Sequence, residues 1–186
     1  MRNILFVIII SASLQGCFPV VAAGAGAGAL MVQDRRTSGA YIEDQGIETK
    51  AFDRIGKQFK STVHVNVTSY NRNILISGEV PDETANAQIE RIVANIQNVG
   101  KIHNELVISG QSSLTSRSND TLITSNVKMR FVGDKRFSAT SIKVVTENGT
   151  VYLMGIVNHA EAHAASEVAS GSSGVSRVVE LFEYVD

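Results

Sequence analysis

The chain has 186 residues, is 44% hydrophobic and 19% charged, and sets 17 basic against 18 acidic side chains, a formal net charge of −1. A single cysteine excludes an internal disulfide and any multi-cysteine zinc or iron–sulfur site. The balanced charge excludes both the global positive field of a nucleic-acid binder and a disordered acidic tail, while the length allows one ordinary domain or two small ones.

The N-terminus reads as a targeting segment. Met1 and Arg2 form a short positive region, Ile4 to Ile10 is an unbroken apolar run, and Ser11, Ala12 and Ser13 lead into Leu14, Gln15, Gly16 and Cys17. That is the layout of a secretory signal. Its end resembles a bacterial lipoprotein box, with an aliphatic residue three before the cysteine and a small residue next to it. Gln15 departs from the small or β-branched residue usual at the middle position. The competing reading is one transmembrane helix, since no charge falls between Arg2 and Asp34 and a span needs about 20 apolar residues. Gln15, Gly16 and Pro19 in its middle, and Gly24, Gly26 and Gly28 after it, count against a span. The resemblance implies cleavage after residue 16 and lipidation of Cys17, and stable anchoring then needs more than one acyl chain. Phe18, where an aspartate would signal retention at the inner membrane, implies sorting to the outer one.

The Gly/Ala alternation from Ala22 to Ala29 has no strand before it and no acid at the distance a dinucleotide loop requires, so it reads as low-complexity tether. Asp34 to Gly46 mixes charges, Gly and Ser without periodicity and is assigned to the same linker, giving a lipidated cysteine and tether over residues 17–46.

The remainder repeats. An offset of 77 pairs Val65 with Ile142, Val67 with Val144, Ile74 with Val151, Ile76 with Leu153, Gly78 with Gly155 and Ala85 with Ala162; an offset of 76 pairs Val99 with Val175 and Leu106 with Phe182. Two like units follow, 47–109 and 118–186, joined by a Ser/Thr/Gln-rich linker at 110–117. In the first, Ala51, Phe52, Ile55 and Phe59 recur at helical spacing. Val63, Val65 and Val67 then alternate with polar residues as a half-buried strand. A turn at Asn71 to Asn73 leads to a strand over 74–80. Pro81, Asp82 and Glu83 open a helix with apolar Ile89, Ile92, Val93 and Ile96, and a strand over 102–108 closes the unit. In the second unit Asn148-Gly149 is a strong hairpin signal, because both turn residues need positive φ. Asn158 with Glu161 marks a helix start with its returning acid.

The predicted fold is therefore α+β: two αββαβ units, each a three-stranded mixed sheet with two helices packed on one face. Units this small sit near the lower limit of independent stability, so contact between them is expected. A lipoprotein box before two such units, with Ser118-Asn119-Asp120-Thr121 opening the second and Thr146-Glu147-Asn148-Gly149 through Leu153-Met154-Gly155 in its hairpin, resembles the dual BON-domain outer-membrane lipoproteins. The resemblance implies a non-catalytic protein anchored in the outer membrane and facing the periplasm. It implies a role in outer-membrane integrity and binding of anionic phospholipid, such as phosphatidylglycerol, by the first helix of the second domain. Some relatives carry a haemolysin label.

The residues themselves bear on that implication. Arg117 to Arg136 holds Arg117, Lys128, Arg130, Lys135 and Arg136 against Asp120 and Asp134, a balance of +3, while Phe137 to Asp186 balances to −4. Ile123, Val127 and Phe131 are spaced to face the sheet, and Leu122, Ser125 and Met129 form the neighbouring stripe. Two readings of that stripe stand: an interfacial apolar edge flanked by the cations Lys128, Arg130, Lys135 and Arg136, or a broad core stripe beside a solvated face. The first helix of the first unit is also basic, with Lys50, Arg54, Lys57 and Lys60 against Asp53, but its apolar residues fit one core face. It reads as structural, or as a docking side.

Other constellations are weak. His159 and His163 at i, i+4 lack the HExxH order and a third ligand, so no metal or other cofactor is assigned, and no carboxylate pair or Ser/His/Asp set suggests catalysis. The alternatives to a lipid binder are a protein-interaction or chaperone-like scaffold with an envelope partner, and a cytolysin. The sequence has no long amphipathic pore-forming segment to favour the last. No nucleic-acid partner is expected.

Overall fold

The computed structural model describes residues 34–185, which belong to one compact unit beginning at Gln33. The signal, Cys17 and the Gly/Ala tether lie outside the described residues. In chain order the elements are α1 (Ser38–Phe59), β1 (His64–Tyr70), β2 (Asn73–Val80), α2 (Glu83–Ala94) and β3 (Ile102–Ile108). The second repeat follows with α3 (Leu114–Gly133), a single 3₁₀ turn (Ala139–Ser141), β4 (Ile142–Glu147), β5 (Thr150–Val157), α4 (His159–Ser170) and β6 (Arg177–Tyr184). Both repeats thus have the order αββαβ, and each sheet is mixed: β2 pairs antiparallel with β1 and parallel with β3, and β5 likewise with β4 and β6.

Two boundaries differ from the sequence reading. Helix α1 starts at Ser38, inside the segment assigned to the tether, with the Thr37 side chain accepting from the Ala40 N–H. Its buried stripe is Ala40, Asp44, Ile47, Ala51 and Ile55, and hydropathy misses the start of it because the two members before Ile47 are an alanine and an aspartate. Helix α3 likewise starts at Leu114, capped by Ser113, within the linker assigned to 110–117.

In each repeat the two helices cover one face of the sheet. Ile47, Ala51, Ile55, Ile74, Ile76, Val80, Ile89 and Val93 make the first core; Ile123, Val127, Phe131, Val144, Val151, Leu153, Ala165 and Ala169 belong to the second. The opposite faces of the two sheets pack on each other. Tyr70 and Leu75 from the first meet Tyr152, Met154, Ile156 and Leu181 from the second. This explains why β2 and β5 are buried along almost their whole length: a central strand covered on both faces loses the alternation of a half-buried one. Leu75 and Met154 are fully buried in this layer, each worth roughly 1.5–3 kcal/mol of burial, so the expected contact between repeats is a shared third core. Polar links surround it. The Tyr70 hydroxyl donates to the Ser141 carbonyl (3.0 Å), Lys143 Nζ donates to Glu48 Oε1 (2.7 Å), and Asn71 Nδ2 donates to Glu183 Oε2 (2.7 Å).

Both hairpins turn through two residues of positive φ, Asn71 (48°) with Arg72 (65°) and Asn148 (48°) with Gly149 (73°). Each turn is held from outside by a buried aspartate of its repeat's first helix. Asp120 accepts from the Asn148 and Gly149 N–H groups (3.0 and 2.9 Å), and Asp44 from the Asn71 and Arg72 N–H groups (both 2.8 Å). Asp44 also accepts from Ser69 Oγ (2.6 Å) and from Arg36 (2.9 Å). A carboxylate buried this way is tolerated because backbone donors and a guanidinium satisfy it.

Candidate functional site

The surface of α3 is where exposed apolar groups and unpaired cations meet. Ile123, Val127 and Phe131 are buried against the sheet, as their spacing by four requires. Leu122 is 64% exposed and Met129 69%, so neither belongs to the core. Ser125 is exposed beside them, its hydroxyl donating to the Thr121 carbonyl (2.8 Å) and so turned onto its own helix. Two further exposed apolar residues extend the stripe, Val132 (77%) one turn after Met129 and Leu114 (79%) at the helix start. Val132 was legible from its i, i+3 relation to Met129; Leu114 was hidden by its assignment to the linker.

The cations around this stripe differ in what they hold. Lys128 and Lys135 are exposed and have no acidic partner among the described residues. Arg130 donates to Ser172 Oγ (3.1 Å), a neutral acceptor, and has no acidic partner among the described residues. Arg136 is different. Its guanidinium bridges Asp134 and Glu167, each at 2.7 Å, so this residue of the predicted basic set is already paired. Those two acids hold the Arg136 proton above the usual arginine range, and the same guanidinium holds the Asp134 carboxyl below its ordinary value. Asp120, the other acid in the +3 balance, is buried under the hairpin turn and does not face solvent with the lysines. The outward face of α3 therefore presents Lys128 and Arg130 around Leu122, Met129 and Val132, with Lys135 in the loop just after the helix.

The first helix of the first repeat presents a different surface, with Ile42 68% exposed one turn before Gly46. Phe52, placed by its spacing on a core face, is instead 80% exposed, because Ala51 and Ile55 fill the position toward the sheet. It stands at the rim of a groove of about 670 Å³ between α1 and β1, with Ile55, Val63, Val65 and Val67 inside and Val145 of the second repeat at its edge. Of the cations of α1, Lys57 pairs with Asp53 (2.7 Å) and Arg54 donates to the Asn95 carbonyl (3.0 Å), while Lys50 and Lys60 have no acidic partner among the described residues. His159, one of the two histidines considered for a metal, stacks on Tyr184 with ring centroids 4.2 Å apart.

No helix among the described residues is long and apolar enough to cross a membrane. Comparison with known proteins agrees with the duplicated architecture. The chain is 36% identical to the outer membrane lipoprotein DolP of Haemophilus influenzae over 175 residues, covering 93% of this chain and 91% of that one. It is 32% identical to a 21 kDa hemolysin of Actinobacillus pleuropneumoniae, covering 82% and 79%, and 23% identical to the osmotically-inducible protein Y of Escherichia coli, covering 75% and 72%. The model of the BON domain matches twice, at residues 43–110 and 119–186, and each match takes in one αββαβ repeat together with most of its first helix. Two helices on one face of a mixed sheet, duplicated and joined through the opposite sheet faces, are two BON domains, and the chain belongs to the BON-domain family.

Proposed function

We propose that this chain is a non-catalytic envelope protein, anchored in the outer membrane through lipidated Cys17 and facing the periplasm, whose α3 surface binds anionic phospholipid such as phosphatidylglycerol and so helps maintain outer-membrane integrity. The observation that carries the reading is the exposure of Leu122 and Met129 beside Lys128 and Lys135, which have no acidic partner among the described residues. Each basic residue at an anionic surface is worth about 1 kcal/mol, and inserting Leu or Met into acyl chain adds roughly 1.5–3 kcal/mol at most. Such a surface binds weakly by itself, and a lipid anchor offsets the weakness by raising the local concentration of membrane. The similarity to an outer membrane lipoprotein over nearly the whole chain supports the location.

A soluble form beginning at Gln33 retains α1 entire and is the form to test. Its binding to phosphatidylglycerol vesicles falls with added salt, and Leu122→Glu or Met129→Glu weakens it by tenfold or more. Phe52→Ser, on the other repeat, leaves it unchanged. Equal binding to neutral phosphatidylcholine vesicles would sink the proposal. A second reading, a scaffold for an envelope protein partner, draws on Phe52 and the groove beside it. A stoichiometric partner that is lost with Phe52→Ser, from a protein that ignores vesicles, would favour it.

A further inference from the structure

The layer between the two sheets contains an electrostatic anomaly. Glu79 of the first repeat and Glu147 of the second are 5% and 8% exposed, and no lysine or arginine pairs with either among the described residues. Glu147 has His64 as an ion-pair partner, whose Nε2 lies 3.4 Å from Glu147 Oε1. One ligand atom from each of the three side chains lies within 4.8 Å of the other two. His64 and Glu79 face each other in register on β1 and β2, and Glu147 is the last residue of β4. Burial pushes the Glu147 carboxyl up, opposed by the Asn66 amide and His64, while Glu79 and Asp120 push it further in the same direction. Two carboxylates with one imidazole are one positive charge short of balance even when the imidazole is protonated.

The surroundings orient these groups as a metal's outer shell does. Asn66 Nδ2 donates to Glu147 Oε2 (2.9 Å) and leaves Oε1 toward His64; the Ser112 N–H donates to Glu79 Oε2 (3.1 Å) and leaves its other oxygen unbonded. Ser77, opposite Asn66 in the β1–β2 register and two residues before Glu79, shares their sheet face. Its hydroxyl is fully buried in the same layer and has no hydrogen-bond partner among the described residues. Glu79 and Glu147 also line a cavity of about 220 Å³ between the repeats, room for a water as a further ligand.

We propose that His64, Glu79 and Glu147 form a binding site for a divalent transition metal of the zinc class, which bridges the two BON domains. One imidazole and two carboxylates with an open position suit such an ion better than magnesium or calcium, which take oxygen alone. Donors at about 2.0–2.2 Å from a common ion sit about 3.3 Å apart, so the side chains close by roughly 1.5 Å at most when it binds. The metal supplies the missing positive charge and ties β1 and β2 of one repeat to β4 of the other.

The test uses the full chain in detergent without a histidine tag, stripped with chelator, exposed to micromolar zinc at neutral pH and desalted. The expected result is one zinc per chain by elemental analysis, with a melting temperature raised by several degrees and returned by EDTA. His64→Gln and Glu147→Gln, nearly isosteric and checked for folding by circular dichroism, each reduce retained zinc at least tenfold, whereas His159→Ala with His163→Ala retains it. Absence of zinc from the wild-type chain, or retention unchanged in His64→Gln, overturns the site. A melting temperature that ignores zinc but responds to pH between about 5 and 7 assigns the compensation to a proton on this cluster and equally overturns it.

Discussion

Laid over each other at an offset of 76 residues, the first helices of the two repeats have the same inside and opposite outsides. Asp44, Ile47, Ala51 and Ile55 fall on Asp120, Ile123, Val127 and Phe131, and all eight are buried. On the outer face, Gly46, Asp53 and Gly56 fall on Leu122, Met129 and Val132, while Phe52 falls on Lys128. The fold constrains only the buried set, since the outer positions touch nothing that the sheet requires. A continuous apolar stripe with flanking cations therefore stands on one copy, while the matching stripe of the other runs from exposed Ile42 into Gly46, Asp53 and Gly56, with exposed Phe52 beside it. This is the physical ground on which the membrane surface is proposed on α3 and not on α1. It also means that substitutions on the outer face separate function from folding, because surface changes of this kind are usually within about 0.5 kcal/mol.

The inner positions allow the sharpest comparisons. Gly78 and Gly155 occupy equivalent sites in β2 and β5, yet they are not equally replaceable. Gly78 has φ of 119°, and a Cβ there would lie 2.1 Å from the His64 carbonyl oxygen, a backbone atom that cannot move without breaking the β1–β2 ladder. Gly155 lacks the positive φ, and its Cβ would lie 2.7 Å from the Ser141 carbonyl oxygen, in the short 3₁₀ turn that leads into β4. Gly78→Ala is expected to cost about 4 kcal/mol or more in urea unfolding, combining strain with a clash. Gly155→Ala is expected to cost about 1–3 kcal/mol, the range for overpacking that a loop absorbs. Equal losses would show that the two sites are constrained alike.

The aspartates beneath the hairpins come next. Asp44 supports a turn with Arg72 at φ 65°, where the second repeat has glycine, and it is the acceptor for two backbone N–H groups, a serine and Arg36. Arg36 is itself stacked 4.1 Å from the Tyr70 ring centroid and 5.0 Å from that of Tyr41. Asp44→Ala leaves a buried guanidinium with one partner fewer and two turn donors unsatisfied, and is expected to cost about 3–5 kcal/mol. Asp120→Ala removes two backbone bonds from an easier Asn-Gly turn and is expected to cost about 1–3 kcal/mol. The same denaturant series measures both. A larger loss at Asp120 would mean that the strained residue of the first turn does not depend on its cap.

These aspartates also mark where the sequence was legible and where it was not. The repeat, the element order and the Asn148-Gly149 turn were readable because apolar alternation and turn chemistry are local signals. The first half of α1 was not, because its buried stripe places Ala40 and Asp44 where a hydrophobic pattern expects bulk. The duplicate held the missing signal: Asp44 aligns with Asp120, in a segment already recognised as helix. On α3, the stripe through Leu122 and Met129 was readable from spacing, but the fate of each cation was not. Arg136 has the same charge as Lys135 in a sequence, and only the fold brings Asp134 and Glu167 onto it. Likewise His64, Glu79 and Glu147 sit on three strands of two repeats, and no linear spacing joins them.

The smallest difference concerns the chain entering the first repeat, which has no counterpart before the second. Arg35 makes a two-point bond to Glu161 on α4 (2.7 and 2.8 Å) and reaches the Ile156 carbonyl (3.0 Å), strapping the start of the first repeat to the second. The hydrogen bonds from Arg35 hold the Glu161 carboxyl below its ordinary value of 4.5, opposed by burial. At Asp34 burial pushes the carboxyl up, but the hydrogen bonds and charge of Arg36 outweigh it and the net shift is again downward, from 3.8. A carboxylate whose folded value lies below its unfolded one binds fewer protons in the folded state. Its contribution is therefore present above the unfolded value and is lost as pH falls through the folded one. Stability should decline below about pH 4.5, and Glu161→Gln should shrink the part of that decline that comes from the strap. Because Arg35 is more than a third exposed, solvent screening keeps the effect under about 1 kcal/mol, and added salt should reduce it further. An acid profile identical in wild type and Glu161→Gln at low salt would show that the strap positions the N-terminal segment without stabilising the fold. The asymmetry between the repeats would then rest on their buried aspartates and outer helix faces alone.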